Sequence, residues 1–373
     1  MYVSINQLIL DKRVLIIDGI RSDIPSGGKT ATETITRYLS PRCTVEIFKM
    51  SQDQVRISRK FFVIKSFPAV IMIILNKYCR SRWLEFFSRF SPWLLFLLIF
   101  KYYSFRPDIM IFNHHCTFIF SKFFFINKIL IWHDVPNLKF INLNIKKSKD
   151  RIICIIFERY FLKGVSQSWV LSFTEHKFIK RFYKTKSLIF SAIDYEPNFR
   201  KSKIINNAWL LVGNWNRTEN CNGATNFFLS YLQLGNTVNF DFNSKFTIAG
   251  TGASFFLEKL IRLNHNFQAI NIQALDSYSS LSEFNHSALL APINEGAGIK
   301  LKTLEAWSCD MPVVGTAQAF SGLPSKIWKL GGIKFKSPYE MAKFCLNWKY
   351  THIVIEDLFP ARAYAEYQKN FDY

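Results

Sequence analysis

The chain has 373 residues, 49% hydrophobic and 17% aromatic, so it is too apolar for a disordered polypeptide and long enough for two cores. Single hydrophobic cores stop growing at roughly 250–300 residues. A formal charge of +21 calls for an anionic partner such as nucleic acid, acidic lipid or a phosphorylated ligand, because self-repulsion of that size works against a compact state.

The first stretch, MYVSINQLILDKRVLIIDG, has no basic leader and no small-residue cleavage site, which predicts no secretory signal. Short apolar runs bounded by turn residues then follow: RVLIIDG (13–19), CTVEIF (43–48), PDIMIFN (107–113), KILIWHD (128–134), SWVLSF (168–173) and SLIFSA (187–192). Stretches with helical spacing separate them, and this β-α-β alternation predicts a parallel sheet covered on both faces. A second series repeats the logic: AWLLVG (208–213), FTIAG (246–250), INIQAL (270–275), SALLAP (287–292), MPVVGT (311–316) and GIKFK (332–336).

Between the series, IDYEPNFRKSKIINN (193–207) is polar and aperiodic and reads as a linker. The expectation is an α/β chain of two doubly wound, Rossmann-like domains facing a cleft: 1–202, 203–355 and a C-terminal helical segment, 356–373. That last segment carries an aromatic stripe at Tyr364, Tyr367 and Phe371 and can pack on either domain, including back onto the N-terminal one. The longest apolar runs, FPAVIMIIL and PWLLFLLIF, have nine residues each, about half of the roughly 20 that span a bilayer, so no transmembrane helix is expected. Seven cysteines lie singly with no CxxC pair, which fits a reducing cytoplasm and excludes the usual zinc spacing.

In open α/β sheets ligands bind beyond the carboxyl ends of the strands. After SALLAP comes NEGAGIKLKTLEAWSCDMPVVGT, where Gly296 and Gly298 let a ligand approach the backbone and a helix is expected to start near Ile299 or Lys300. Its N-terminus offers amide groups and a positive dipole end to a phosphate. Lys302 and Glu305 share one face of that helix, either as an ordinary solvated pair or as a cation for phosphate and a carboxylate for a vicinal diol.

The segment APINEGAGIKLKTLEAWSCDMPVVGT resembles the donor-nucleotide motif of the GT-B glycosyltransferases, in particular the large family-4-like group. Weaker likenesses are VLIIDG with SGGKTATETITRYL, IWHDVPN, LLVGNWNRTENCNG and FTIAGTG, so the resemblance covers nearly the whole chain. It implies sugar transfer from a nucleotide sugar with retention, Glu305 on the ribose, and His133 as a catalytic-site group. Many members carry two glutamates separated by seven residues; here Glu295 and Glu305 are separated by nine, and Ala297 takes the first position in an ungapped alignment. Glu295 is a candidate catalytic residue if its loop is longer, while Glu305 is the firmer assignment.

Gly27 and Gly28, ahead of a helix expected from Lys29, give a second phosphate-facing turn without either the GxGxxG or the P-loop spacing. His133 and Asp134 end a strand, either to donate to a sugar hydroxyl or to close a turn. Arg217 stands where relatives use basic residues against the diphosphate, and Lys300 or Lys302 supplies the cation that TENCNGATNFF lacks. There is no D-x-D triplet and His114 with His115 has no third ligand, so metal-independent activity is expected, with no cofactor beyond the nucleotide-sugar substrate.

Residues 56–106 hold ten Lys or Arg and one acid, Glu85, among long apolar runs. This predicts either core helices with solvated lysines or contact with an acidic membrane surface, which would suit a lipid-linked acceptor. The expected partners are thus a nucleotide sugar, a glycan or lipid-linked acceptor and an acidic membrane surface, without nucleic acid, in a cytoplasmic and peripheral location. The competing readings are a catalytically silent GT-B protein, an epimerase of the same fold and a basic nucleic-acid-binding protein.

Overall fold

A computed structural model of the chain describes residues 9–19, 27–50, 92–133, 135–138, 149–189, 208–237, 244–284, 288–295, 298–347 and 354–369. The expected linker, Asp134, Gly296, Ala297 and residues 51–91 lie outside these. The chain divides into two compact units, one of residues 1–194 with 371–373 and the other of residues 195–370.

The first unit contains β1 (Arg13–Asp18), α1 (Gly27–Leu39), β2 (Thr44–Lys49), α2 (Pro92–Phe105), β3 (Ile109–Asn113), β4 (Asn127–Trp132), α3 (Lys149–Leu162), β5 (Gln167–Val170), α4 (Phe173–Phe178) and β6 (Ser187–Ile189). A 3₁₀ segment, His115–Phe123, follows β3. All strand pairs are parallel, in the order β2-β1-β3-β4-β5-β6. Strands covered on both faces read as unbroken apolar runs rather than alternations, and IMIF of β3 and ILIW of β4 do so. One face, with Leu15, Met110, Phe112 and Trp132, packs on Leu94 and Leu98 of α2 and Phe161 of α3. The other, with Val14, Ile16, Ile111 and Ile129, packs on Ile35 and Leu39 of α1.

The second unit contains β7 (Ala208–Val212), α5 (Thr218–Thr237), β8 (Lys245–Ala249), α6 (Ala253–Leu263), β9 (Asn271–Leu275), β10 (Ala288–Ala291), α7 (Leu301–Ser308), β11 (Val313–Thr316), α8 (Ser325–Gly331), β12 (Gly332–Phe335), α9 (Pro338–Leu346) and α10 (Pro360–Gln368). Its sheet is parallel in the order β12-β11-β10-β7-β8-β9. Trp209, Leu211, Phe246 and Leu290 pack on Phe227, Phe228 and Tyr231 of α5 and Met341 and Cys345 of α9.

All twelve strands expected from the two apolar series form, so the chain is α/β with two doubly wound sheets. The described part of the C-terminal segment docks within the second unit. Helix α10 packs on α7 and α8, Asp310 accepts from the Ala361 amide at 3.0 Å, and Tyr364 and Tyr367 are fully buried.

Candidate functional site

Each sheet reverses its order of growth once. In the first unit the reversal separates β1 from β3, and in the second it separates β7 from β10. Adjacent connections leave the carboxyl ends of those strands in opposite directions, which opens a crevice there.

At the β7/β10 crevice the residues converge from three segments. Lys302, in the first turn of α7, sends its ammonium Nζ to the Val212 carbonyl at 2.7 Å and to Asn220 Oδ1 at 3.2 Å. The Asn220 amide donates to the Asn214 carbonyl at 2.9 Å, which leaves its oxygen to face the lysine. Val212, Trp215, Glu219, Asn220, Pro292 and Lys302 line a small cavity at this point. Helix α5 reaches the loop after β10 so closely that a Cβ on Gly223 would stand 1.7 Å from the Pro292 carbonyl oxygen.

Helix α7 begins at Leu301, two residues beyond the first expected start, with Lys300 as N-cap in extended conformation and no side chain capping its amides. The buried Gly298 precedes it at φ 71°, a conformation that L side chains rarely adopt. An open amide terminus of this kind suits a phosphate. Part of the Lys302 stem is accessible but its ammonium is enclosed, and this burial lowers its pKa to about 8. The charge of Lys300 and, more weakly, that of Arg217 push in the same direction, while Glu305 opposes them. Three cations and one carboxylate therefore share the crevice with the end of α7. Arg217 itself is exposed, and its carbonyl accepts from the Asn220 and Cys221 amides in the first turn of α5.

Glu305 is half-buried one turn further along α7. Close to it is Tyr278, in the segment after β9, whose phenol is pushed well up by burial and by the Glu305 charge. Nothing in the sequence singled out Tyr278, since a lone tyrosine in a polar loop carries no spacing signal. Glu295 stands exposed on the loop after β10 and is not part of the hydrogen-bonded set around Lys302.

The β1/β3 crevice of the first unit holds a different set. His133 Nε2 lies 2.7 Å from Asn113 Oδ1. The Asn113 amide nitrogen donates to Thr32 Oγ1 at 2.7 Å and to Asp18 Oδ1 at 3.2 Å. Because a carboxylate only accepts, the Asn113 amide is oriented with its oxygen toward His133, so Nε2 carries the proton and Nδ1 is the acceptor of the neutral ring. The sequence suggested that His133 donates to a sugar hydroxyl. In the neutral ring with this tautomer, the Nε2 donor goes to Asn113.

Asp18 and Asn113 were legible only as the polar residues that close two otherwise apolar strands. Gly27 and Gly28 form the first two residues of α1 rather than a turn ahead of it. Glycine has no side chain to set over the first-turn amides, which favours close approach of a ligand to the backbone.

Behind His133, the segment Val135–Leu138 is buried and held by two buried carboxylates. Glu175 Oε1 accepts from the Val135 amide at 3.2 Å, and Glu158 Oε1 accepts from the Asn137 amide at 2.7 Å. The Tyr183 hydroxyl donates to the other Glu158 oxygen. Burial raises the Glu158 carboxyl to about 7 against the lowering effect of these donors. Among the described residues no group of three or more His, Cys, Asp or Glu is arranged to hold a metal ion.

No protein-family model and no curated protein matches the chain. Solved structures do. Sucrose-phosphate synthase from Thermosynechococcus elongatus superposes with a TM-score of 0.64 at 12% identity, over 96% of this chain and 95% of that one. HepE from Anabaena, solved with UDP and glucose, gives 0.60 at 11%, over 97% and 96%. A mutant of TarM from S. aureus, solved with fondaparinux, alpha-GlcNAc-glycerol and UDP, gives 0.55 at 16%, over 75% of this chain and 56% of that one. The chain has the fold of the GT-B glycosyltransferases.

Proposed function

We propose that this protein is a glycosyltransferase that moves a sugar from a nucleotide-sugar donor to a glycan or lipid-linked acceptor, with retention at the anomeric carbon and without a metal ion. Synthesis of a bacterial-type surface polysaccharide is the setting that such an acceptor suits. The observation that carries the reading is the β7/β10 crevice, where Lys300, Lys302 and Arg217 surround the open amide end of α7 with Glu305 one turn beyond.

Each group has a task that its chemistry supports. The diphosphate lies against the α7 amides and the three cations, which take up the charge that grows on the leaving phosphate as the bond to the anomeric carbon breaks. Preorganised donors of this kind supply several kcal/mol at the transition state. Glu305 accepts hydrogen bonds from the ribose diol. His133, oriented by Asn113, accepts from a sugar hydroxyl and positions it, while the acceptor oxygen bonds to the anomeric carbon and its proton leaves with the diphosphate.

The test begins with thermal shifts against a panel of nucleotide sugars, since a ligand at 100 times its Kd stabilises by about 2.7 kcal/mol. Donors that shift Tm are then incubated with glycan and lipid-linked acceptors, with and without EDTA. Release of nucleoside diphosphate that depends on acceptor and survives EDTA supports the proposal. Binding without turnover would indicate a silent relative, and activity lost in EDTA and restored by magnesium or manganese would overturn metal independence. Turnover of the donor without acceptor would indicate an epimerase.

A further inference from the structure

Helix α2, PWLLFLLIFKYYSF, is apolar on nearly every side, a pattern that marks a helix buried all round or one that meets lipid. Only one side is buried, where Leu94 and Leu98 enter the core. The other side shows Trp93, Phe96, Phe100 and Tyr103 at 49, 58, 69 and 69% exposure. Their spacing of three, four and three residues aligns them in one stripe.

The same layer extends beyond the helix. Phe124 packs on Tyr102 of α2 with ring centroids 5.1 Å apart, and its neighbours Phe123 and Phe125 point outward, Phe125 at 100% exposure. On α3, Ile152, Ile156 and Tyr160 are each at least half exposed at four-residue intervals. Leu94, Leu98, Phe124 and Phe161 share one core cluster on one face of the first sheet, which places the outer residues of all three elements on the same side of the unit.

Cations are interleaved with these rings. Lys122 Nζ lies 4.6 Å from the Tyr160 ring centroid, and the Arg159 guanidinium 5.6 Å from that of Phe182. Lys163, just after α3, is exposed, whereas Lys101 within α2 is ion-paired with Glu46 and is not one of these cations. We propose that the outer face of α2, the 123–125 turn and α3 lies in the headgroup region of an anionic lipid bilayer.

Apolar side chains enter the acyl boundary while each nearby cation adds about 1 kcal/mol against acidic lipid. The contact is in-plane, because no described helix is long and apolar enough to cross a membrane and 14 residues of α2 extend only about 21 Å. A second copy of the chain is disfavoured as the occupant, since it would set one basic surface of a +21 protein against another. This face contains no residue of the sugar-transfer site, so the inference stands or falls separately from that reading.

The full chain is sedimented with vesicles of phosphatidylcholine alone and with about 30% phosphatidylglycerol, at low and high salt. The expected result is binding to the anionic vesicles that falls at least about tenfold in high salt or on neutral vesicles. A Phe96→Ser, Phe100→Ser, Tyr103→Ser variant should retain Tm and turnover on a soluble acceptor and lose vesicle binding at least about tenfold. Phe125→Ser, a single change at a fully exposed site, should weaken binding without touching α2. Absence of wild-type binding, equal binding by folded variants, or self-association in sedimentation that the triple variant abolishes would each overturn the proposal.

Discussion

The ammonium of Lys302 is hydrogen-bonded to the carbonyl of Val212, ninety residues earlier, at 2.7 Å. This contact joins the first turn of α7 to the end of β7 and fixes a cation where the two strands diverge. Lys302 thus ties the two elements together; in the proposed reaction it is also the charge that meets a donor phosphate, a role that its lowered pKa makes sensitive to pH.

With a folded pKa of about 8, Lys302 is charged at neutral pH and loses its proton as pH rises through that value. Donor affinity should be flat below pH 7 and fall above pH 8. Between about 8 and the unfolded value of 10.5, the folded state binds fewer protons than the unfolded one, so stability rises with pH across that window. Lys302→Met should weaken nucleoside diphosphate binding at least about tenfold at pH 7 and flatten both profiles. Calorimetric titration from pH 6 to 9.5 on both proteins measures this.

Gly223→Ala probes the geometry of the same crevice. The added methyl collides with the Pro292 carbonyl, so α5 or the loop after β10 must shift, at a typical overpacking cost of about 1–3 kcal/mol. The expected outcome is a Tm lowered by several degrees and weaker donor binding, with the circular-dichroism spectrum unchanged. Gln233→Ala, at an exposed position on the same helix, serves as the control and should leave both unchanged.

Much of this architecture was legible in the sequence. Twelve apolar runs gave twelve strands because strands buried on both faces must be apolar throughout, and that signal survives without knowledge of tertiary contacts. Gly298, Lys302 and Glu305 were legible because glycine, cation and carboxylate stand in a fixed order ahead of an apolar strand. Asn220, Tyr278 and the Asp18–Thr32–Asn113 set were not, because their partners come from distant segments and single polar residues carry no period. The orientation of His133 was hidden for the same reason: the Asn113 amide that decides it lies 20 residues away on another strand.

Glu158 predicts a second pH dependence, of opposite sign. Its carboxyl is raised from 4.5 to about 7, so between those values the folded state holds a proton that the unfolded state releases. Stability therefore falls as pH rises from 4.5 to 7 and stays reduced above. Glu158→Gln keeps an acceptor for the Asn137 amide and removes the buried charge; it should flatten the profile and be more stable above pH 7 by about 3 kcal/mol. Urea unfolding at pH 5 and pH 8 on the two proteins distinguishes the outcomes.

His133 belongs to the first unit, and the cations and Glu305 to the second. His133→Ala should lower kcat by about 100-fold, within the range for a positioned proton-transfer or hydrogen-bonding group, and change donor Kd little. Asn113→Leu, which removes the acceptor of His133 Nε2, should lower kcat in the same direction and by less. Steady-state kinetics paired with donor titrations separate the two parameters.

In the proposed reaction Glu305 holds the donor's ribose, and calorimetric titration of the donor into the wild type and Glu305→Gln measures that contact. The expected Kd of the variant is at least about thirtyfold weaker, with Tm of the unliganded protein within a few degrees of wild type. A folded Glu305→Gln protein that binds the donor with unchanged Kd would contradict this role of Glu305.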